Sequence, residues 1–143
     1  MKSVVIIDGQ GGRMGAAVVA GIKAAALPCS ITAIGTNSVA AAAMLKAGAD
    51  AAATGENPVI VACRSADFII GPLGIVIADS LLGEITPAMA AAVGQSCAVR
   101  LLLPVNICSN LVVGIKDQPF GKFVSDAVEK LAALLSEGSC TGA

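Results

Sequence analysis

Val4-Val5-Ile6-Ile7-Asp8-Gly9-Gln10-Gly11-Gly12-Arg13-Met14-Gly15 is the stretch on which the reading of this chain turns. Four β-branched residues in a row, with no polar alternation, predict a strand buried on both faces and stopped by Asp8-Gly9. The alanine-rich run from Gly12 to Ala26 predicts a helix ending at Leu27-Pro28. A glycine turn between strand and helix is the setting in which backbone N–H groups can cradle a phosphate. Glycine permits the turn and lets an anion approach without a Cβ clash. The N–H groups of the first helical turn then point at that anion. Arg13 strengthens the case, because a cation in the first turn opposes the helix dipole by about 0.3–1 kcal/mol unless something anionic compensates. Gly9, Gln10, Gly11, Gly12, Arg13, Met14 and Gly15 are therefore candidate ligand-binding residues. A tight turn with glycines for packing is the competing reading of the same residues.

Working outward, strands are predicted at 30–34, 51–53, 68–70, 99–103 and 111–115. Helices are predicted at 38–47, from Asn57-Pro58 to about Arg64, over 75–82, from Thr86-Pro87 to about Val93, and over 123–134. Asn37 or Ser38, Asn57 and Thr86 read as N-caps, the last two followed by proline at the first helical position. In the last helix Asp126 and Lys130 are expected to pair on the outer face. Strands alternating with helices indicate an α/β domain, a Rossmann-like three-layer architecture with a mostly parallel sheet. A single domain over 1–135 and a flexible C-terminal tail over 136–143 are expected.

Composition excludes several classes of function. The 143 residues contain no histidine, tryptophan or tyrosine, are 56% hydrophobic and 13% charged, and carry a formal charge of −1. Without histidine there is no His general base and no Ser-His or Cys-His nucleophile pair. Near-neutral charge and scarce aromatics supply neither the basic stripe nor the stacking platform of a nucleic-acid binder. The five cysteines form no CxxC, and they read as reduced thiols in a cytoplasmic protein. Cys108 is a weak nucleophile candidate, and the C-terminal Cys140-Thr141-Gly142-Ala143 departs from a prenylation box in both middle positions. The longest charge-free stretch, Ala24 to Leu45, is broken by Pro28 and by Gly35-Thr36-Asn37-Ser38, so no membrane association is expected. Alanine-rich helices with few charges point to a homo-oligomer.

In a parallel sheet, ligands bind outside the carboxyl ends of the strands. The loops at Asp8–Gly15, Gly35-Thr36-Asn37, Thr54–Asn57, Gly71-Pro72-Leu73-Gly74 and Pro104–Asn106 should gather on one rim. Thr36, Asn37 and Asn57 would add hydrogen bonds there. Gly71, Pro72 and Gly74 would form the opposite wall if their strand neighbours the first. Asp8, Glu56, Asp79 and Glu84 are the acids that could act as bases or bind a hard cation such as magnesium; Asp8 and Glu56 are the candidate acid/base residues, and solvation or capping is the competing reading of Asp79 and Glu84. No acids have a spacing that fixes a metal site.

Gly9-x-x-Gly12-Arg13-Met14-Gly15 is similar to the cofactor loop of dihydrodipicolinate reductases, which implies NAD or NADP as a possible cofactor. That family's catalytic segment is rich in histidine, so its activity does not carry over. Asp8 stands where such loops have a small neutral residue, and Gly35-Thr36-Asn37 lacks an acid for the ribose. A longer resemblance runs through Ile7-Asp8-Gly9-Gln10-Gly11-Gly12, Gly35-Thr36-Asn37, Met44-Leu45-Lys46-Ala47-Gly48-Ala49, Ala53-Thr54-Gly55-Glu56-Asn57, Gly71-Pro72-Leu73-Gly74-Ile75-Val76-Ile77-Ala78 and Gly83-Glu84-Ile85-Thr86-Pro87. Over most of residues 3–116 the chain resembles the bacterial domain-of-unknown-function family 3842. The resemblance implies a bacterial cytoplasmic protein with a Rossmann-like fold and assigns no activity.

The expectation is a small-molecule binding module for a nucleotide, dinucleotide or other phosphorylated ligand at Gly9–Gly15. The alternatives are a small enzyme using a nicotinamide cofactor or a carboxylate acid/base, and an oligomeric scaffold without ligand.

Overall fold

Val4–Ile7 lies at the centre of a five-stranded sheet in the computed structural model, which describes residues 1–105 and 109–138. The strands are β1 (Lys2–Asp8), β2 (Cys29–Gly35), β3 (Ala51–Thr54), β4 (Phe68–Pro72) and β5 (Val99–Leu103). All pairings are parallel, in the order β3-β2-β1-β4-β5. Val4 lies opposite both Ile31 and Phe68, and Asp8 lies opposite Gly35.

Among the described residues five α-helices follow the strands: α1 (Arg13–Ala24), α2 (Ser38–Lys46), α3 (Glu56–Cys63), α4 (Pro87–Gln95) and α5 (Phe120–Ser136). Side-chain alternation in β1 divides the core into two layers. Val4 and Ile6 pack with Val18 and Ile22 of α1, Met44 of α2 and Leu131 of α5. Val5 and Ile7 pack on the other face with Val59 of α3 and with Met89 and Val93 of α4. Each fully buried side chain of this kind contributes about 1.5–3 kcal/mol, which is why the unalternated β-branched run becomes the central strand.

Two caps form as expected. Asn37 Oδ1 accepts from Ala40 N at 2.9 Å, and Thr86 Oγ1 accepts from Met89 N at 3.1 Å with Pro87 in the first turn. The third cap is a correction. α3 begins at Glu56, one residue before the expected Asn57 cap, because Gly55 takes φ 108° while its N–H donates to Gly35 O at 2.9 Å. Asn57 therefore sits inside the first turn.

Three other expectations are also corrected. Instead of a helix over 75–82 there is one 3₁₀ turn, Leu73–Val76, followed by turns in which Asp79, Leu81, Leu82 and Gly83 all have positive φ. Local bonds hold this path: Asp79 N–H donates to Ile85 O at 2.7 Å, Ile85 N–H donates to Ser80 O, and Ser80 Oγ donates to Gly74 O. The path buries Ile75, Leu81 and Ile85 together under α4. Residues 111–115 form no strand: Ile115 N–H donates to Val112 O at 3.4 Å across a turn with Gly114 at φ 88°, and Leu111 and Val113 are 91% and 96% exposed. In α5, Asp126 pairs with Lys122 at 2.7 Å rather than with Lys130. Of the expected tail, Ser136 closes α5 and 139–143, including Cys140, lie outside the described residues. Cys108 and Asn106 lie outside them as well. No helix among the described residues is long and apolar enough to cross a membrane.

Candidate functional site

Sheet order reverses between β1 and β4, so the loops after these strands diverge at the switch-point crevice of such sheets, which Thr36, Leu81 and Glu84 fill beside Gly9. The rim is tied together by main-chain bonds, with Thr36 N–H donating to Asp8 O at 3.0 Å and Gly55 N–H to Gly35 O. β4 does neighbour β1, so Gly71, Pro72 and Gly74 stand on the far side of the crevice as expected. They are buried, however, beneath the turns of 77–85.

Asp8 ends β1 only 4% exposed. Its Oδ1 accepts from Gly9 N at 2.8 Å and its Oδ2 from Gly15 N at 2.7 Å. Burial raises the Asp8 pKa above the usual aspartate value; the bonds from Gly15, Gly9 and Met14 oppose the rise, and the nearby Glu84 charge adds to it. Both oxygens face the N–H groups of the residue's own loop. The Asp8 carboxylate thus supplies the anion that the start of α1 favours. Its geometry is that of a structural cap, not of a base aimed at a substrate.

Glu84, which the sequence suggests is a solvated or capping acid, is instead the centre of a hydrogen-bonded cluster. It reaches across the crevice from the 77–85 turns. Its Oε1 accepts from Thr36 Oγ1 at 2.6 Å, Asn37 Nδ2 at 2.7 Å and Gln10 N at 3.0 Å, and its Oε2 accepts from Gln10 N at 3.2 Å. Asn37 Nδ2 also donates to Gln10 O at 2.9 Å. Burial pushes the Glu84 carboxyl up, but the bonds from Thr36, Asn37 and Gln10 outweigh it and hold the pKa below the usual glutamate range. Donors on two separate loops therefore converge on one carboxylate. Beside it, Leu81 closes the crevice from within the apolar layer. The only local signal for Glu84 is the Gly83-Glu84-Ile85-Thr86-Pro87 motif, which does not reveal partners as far as 74 residues away.

The remaining candidates separate by position. A Cβ on Gly9 would meet Thr36 Oγ1 at 2.7 Å and Glu84 Oε1 at 3.3 Å. Gly12, at φ 71°, lies against the Ala40 backbone, Gly15 against Met44 and Gly35 against Ala41, so those three serve packing between elements. Gly11 alone in the loop faces open space. Met14 is a core residue. Arg13 turns outward, its guanidinium 5.0 Å from the Phe120 ring centroid. Glu56 accepts from Thr86 Oγ1 at 2.6 Å, linking the starts of α3 and α4. Asn57 is exposed and takes no part in the Glu84 cluster. Among the described residues no group of three or more Cys, Asp or Glu gathers as a metal site.

A family model described as domain of unknown function (DUF3842) matches residues 3–136. No curated protein and no solved structure matches the chain.

Proposed function

The chain belongs to the DUF3842 family, and we propose that it is a small-molecule binding module whose crevice takes the anionic group of a nucleotide or other phosphorylated ligand. The convergence of Gln10 N–H, Thr36 O–H and Asn37 N–H on one carboxylate oxygen carries this reading. Such a cradle suits any anionic oxygen, because charge-assisted hydrogen bonds are about twice as strong as neutral ones. Glu84 acts as a stand-in anion that the ligand's phosphoryl group displaces. Gly11, with open space above it, is where the backbone can touch the ligand. A single phosphoryl group fits better than the diphosphate of NAD or NADP, since Asp8 already takes the Gly9 and Gly15 N–H groups.

A thermal-shift series with inorganic phosphate, a nucleoside monophosphate, a sugar phosphate and NAD tests the reading. The expected result is stabilisation by at least one monophosphorylated compound, enlarged in Glu84→Ala and lost in Thr36→Val. Absence of any shift in both the natural chain and Glu84→Ala overturns it.

A further inference from the structure

We propose that Leu111–Ile115 is an exchange strand, adding to the open outer edge of β5 in a second copy of this chain. β5 is the last strand of the sheet and pairs only with β4 among the described residues. An edge of this kind presents unpaired N–H and C=O groups that accept a further strand. The same chain carries a segment that fits it. Extended, Leu111, Val113 and Ile115 share one face at period two; in the single chain Gly114 at φ 88° and the bond from Ile115 N–H to Val112 O turn the segment, and all three side chains are exposed, the first two almost completely. The segment and β5 are each five residues long. An apolar, β-branched stretch left in water, lying close in sequence to a strand edge left without a partner, is a complementary pair.

The chain's own path does not join the two. Val105 N–H donates to Leu103 O at 2.8 Å, a tight three-residue turn at Pro104 that takes the backbone off the strand. The other open edge, β3, is shorter and carries alanines at three of its four positions, offering little for Leu and Val side chains to pack on. β5 presents Val99, 42% exposed, and the half-buried Leu102, while Leu101 and Leu103 lie in the core. A reciprocal exchange between the same two copies closes as a two-fold dimer and does not propagate. A formal charge of −1 per chain adds little repulsion between copies.

The test measures mass by light scattering and amide hydrogen exchange over a concentration series. The natural chain should run at twice its 14.0 kDa mass, with the 111–115 amides protected in the dimer. Val113→Pro removes a strand N–H at a residue exposed in the single chain, and Val113→Lys adds a charge there. Both should halve the mass, while the variant monomer keeps a cooperative melt and protected β1 amides. The proposal is overturned by a natural chain that stays monomeric throughout. It is equally overturned by a dimer that persists in both variants, which would favour the apolar groove of about 410 Å³ between α1 and α5. Protection of 111–115 in a monomer, meaning pairing within one chain, also sinks it.

Discussion

Thr36 Oγ1 donates to Glu84 Oε1 across 2.6 Å, joining residues 48 positions apart in the chain. This contact spans the crevice, since Thr36 follows β2 while Glu84 hangs from the turns after β4. Those turns hold Asp79, Leu81 and Leu82 in the left-handed region, each a conformation that costs about 1–3 kcal/mol and persists only because its surroundings enforce it. The bonds at Glu84 are part of what enforces it. Releasing Glu84 therefore loosens a segment that carries backbone strain, which suits a stand-in that a ligand can displace.

Glu84 also sets a pH dependence. Its folded pKa lies below the ordinary 4.5. The charged form is favoured by folding, so its contribution is complete above 4.5 and disappears as pH falls through the folded value. Urea melts of the natural chain and Glu84→Gln should thus differ most near neutral pH and converge in acid. Asp8 acts in the opposite sense, because burial raises its pKa above 3.8. The folded chain takes up that proton first, so the natural chain should gain stability relative to Asp8→Asn as pH falls towards 3.8. A constant gap for Glu84→Gln across the acid range would refute the first expectation.

The parts of the fold that were legible in the sequence are those set by local rules. Val4–Ile7, the alanine-rich helices and the Thr86-Pro87 cap all state their structure within a few residues. The 75–82 segment misled because its apolar residues suit a helix locally, whereas burying Ile75, Leu81 and Ile85 as one set decides its path. Residues 111–115 misled for a related reason: strand-forming sequence needs an edge to join, and within the single chain the segment turns at Gly114 instead of reaching one. At the site, the glycine loop and Thr36-Asn37 were readable from their place after strands. Glu84 was not, since its role depends on partners brought together only by the order β2-β1-β4.

Asn37 does two jobs that substitutions can separate. Its Oδ1 caps α2 through Ala40 N, and its Nδ2 donates to Glu84 and to Gln10 O. Asn37→Ala removes both, and the cap alone is worth about 0.5–2 kcal/mol. Asn37→Asp keeps the cap but places a second carboxylate where a donor stood 2.7 Å from Glu84. Its urea midpoint should recover towards the natural value as pH is lowered and the carboxylates protonate, while that of Asn37→Ala should not recover in this way. Parallel behaviour of the two variants with pH would show that the cap is all that Asn37 contributes.

The glycine loop can be divided by the same logic. Gly12 has φ 71°, and a Cβ there would stand 2.7 Å from Ala40 Cα and 2.9 Å from Ala40 O. Neither backbone can yield without separating α1 from α2, so Gly12→Ala combines overpacking, about 1–3 kcal/mol, with a strained left-handed residue. Gly11 has no neighbour within 4 Å of its would-be Cβ, and its φ is not in the left-handed region. Gly11→Ala should leave the urea midpoint within about 0.5 kcal/mol of the natural chain, as surface substitutions do. If a ligand's phosphoryl group rests on the Gly11 backbone, that same variant should lose affinity while keeping its stability. Calorimetric titration beside the urea melt separates the two. Unchanged affinity in Gly11→Ala would mean that the ligand is held through Thr36 and Asn37 alone.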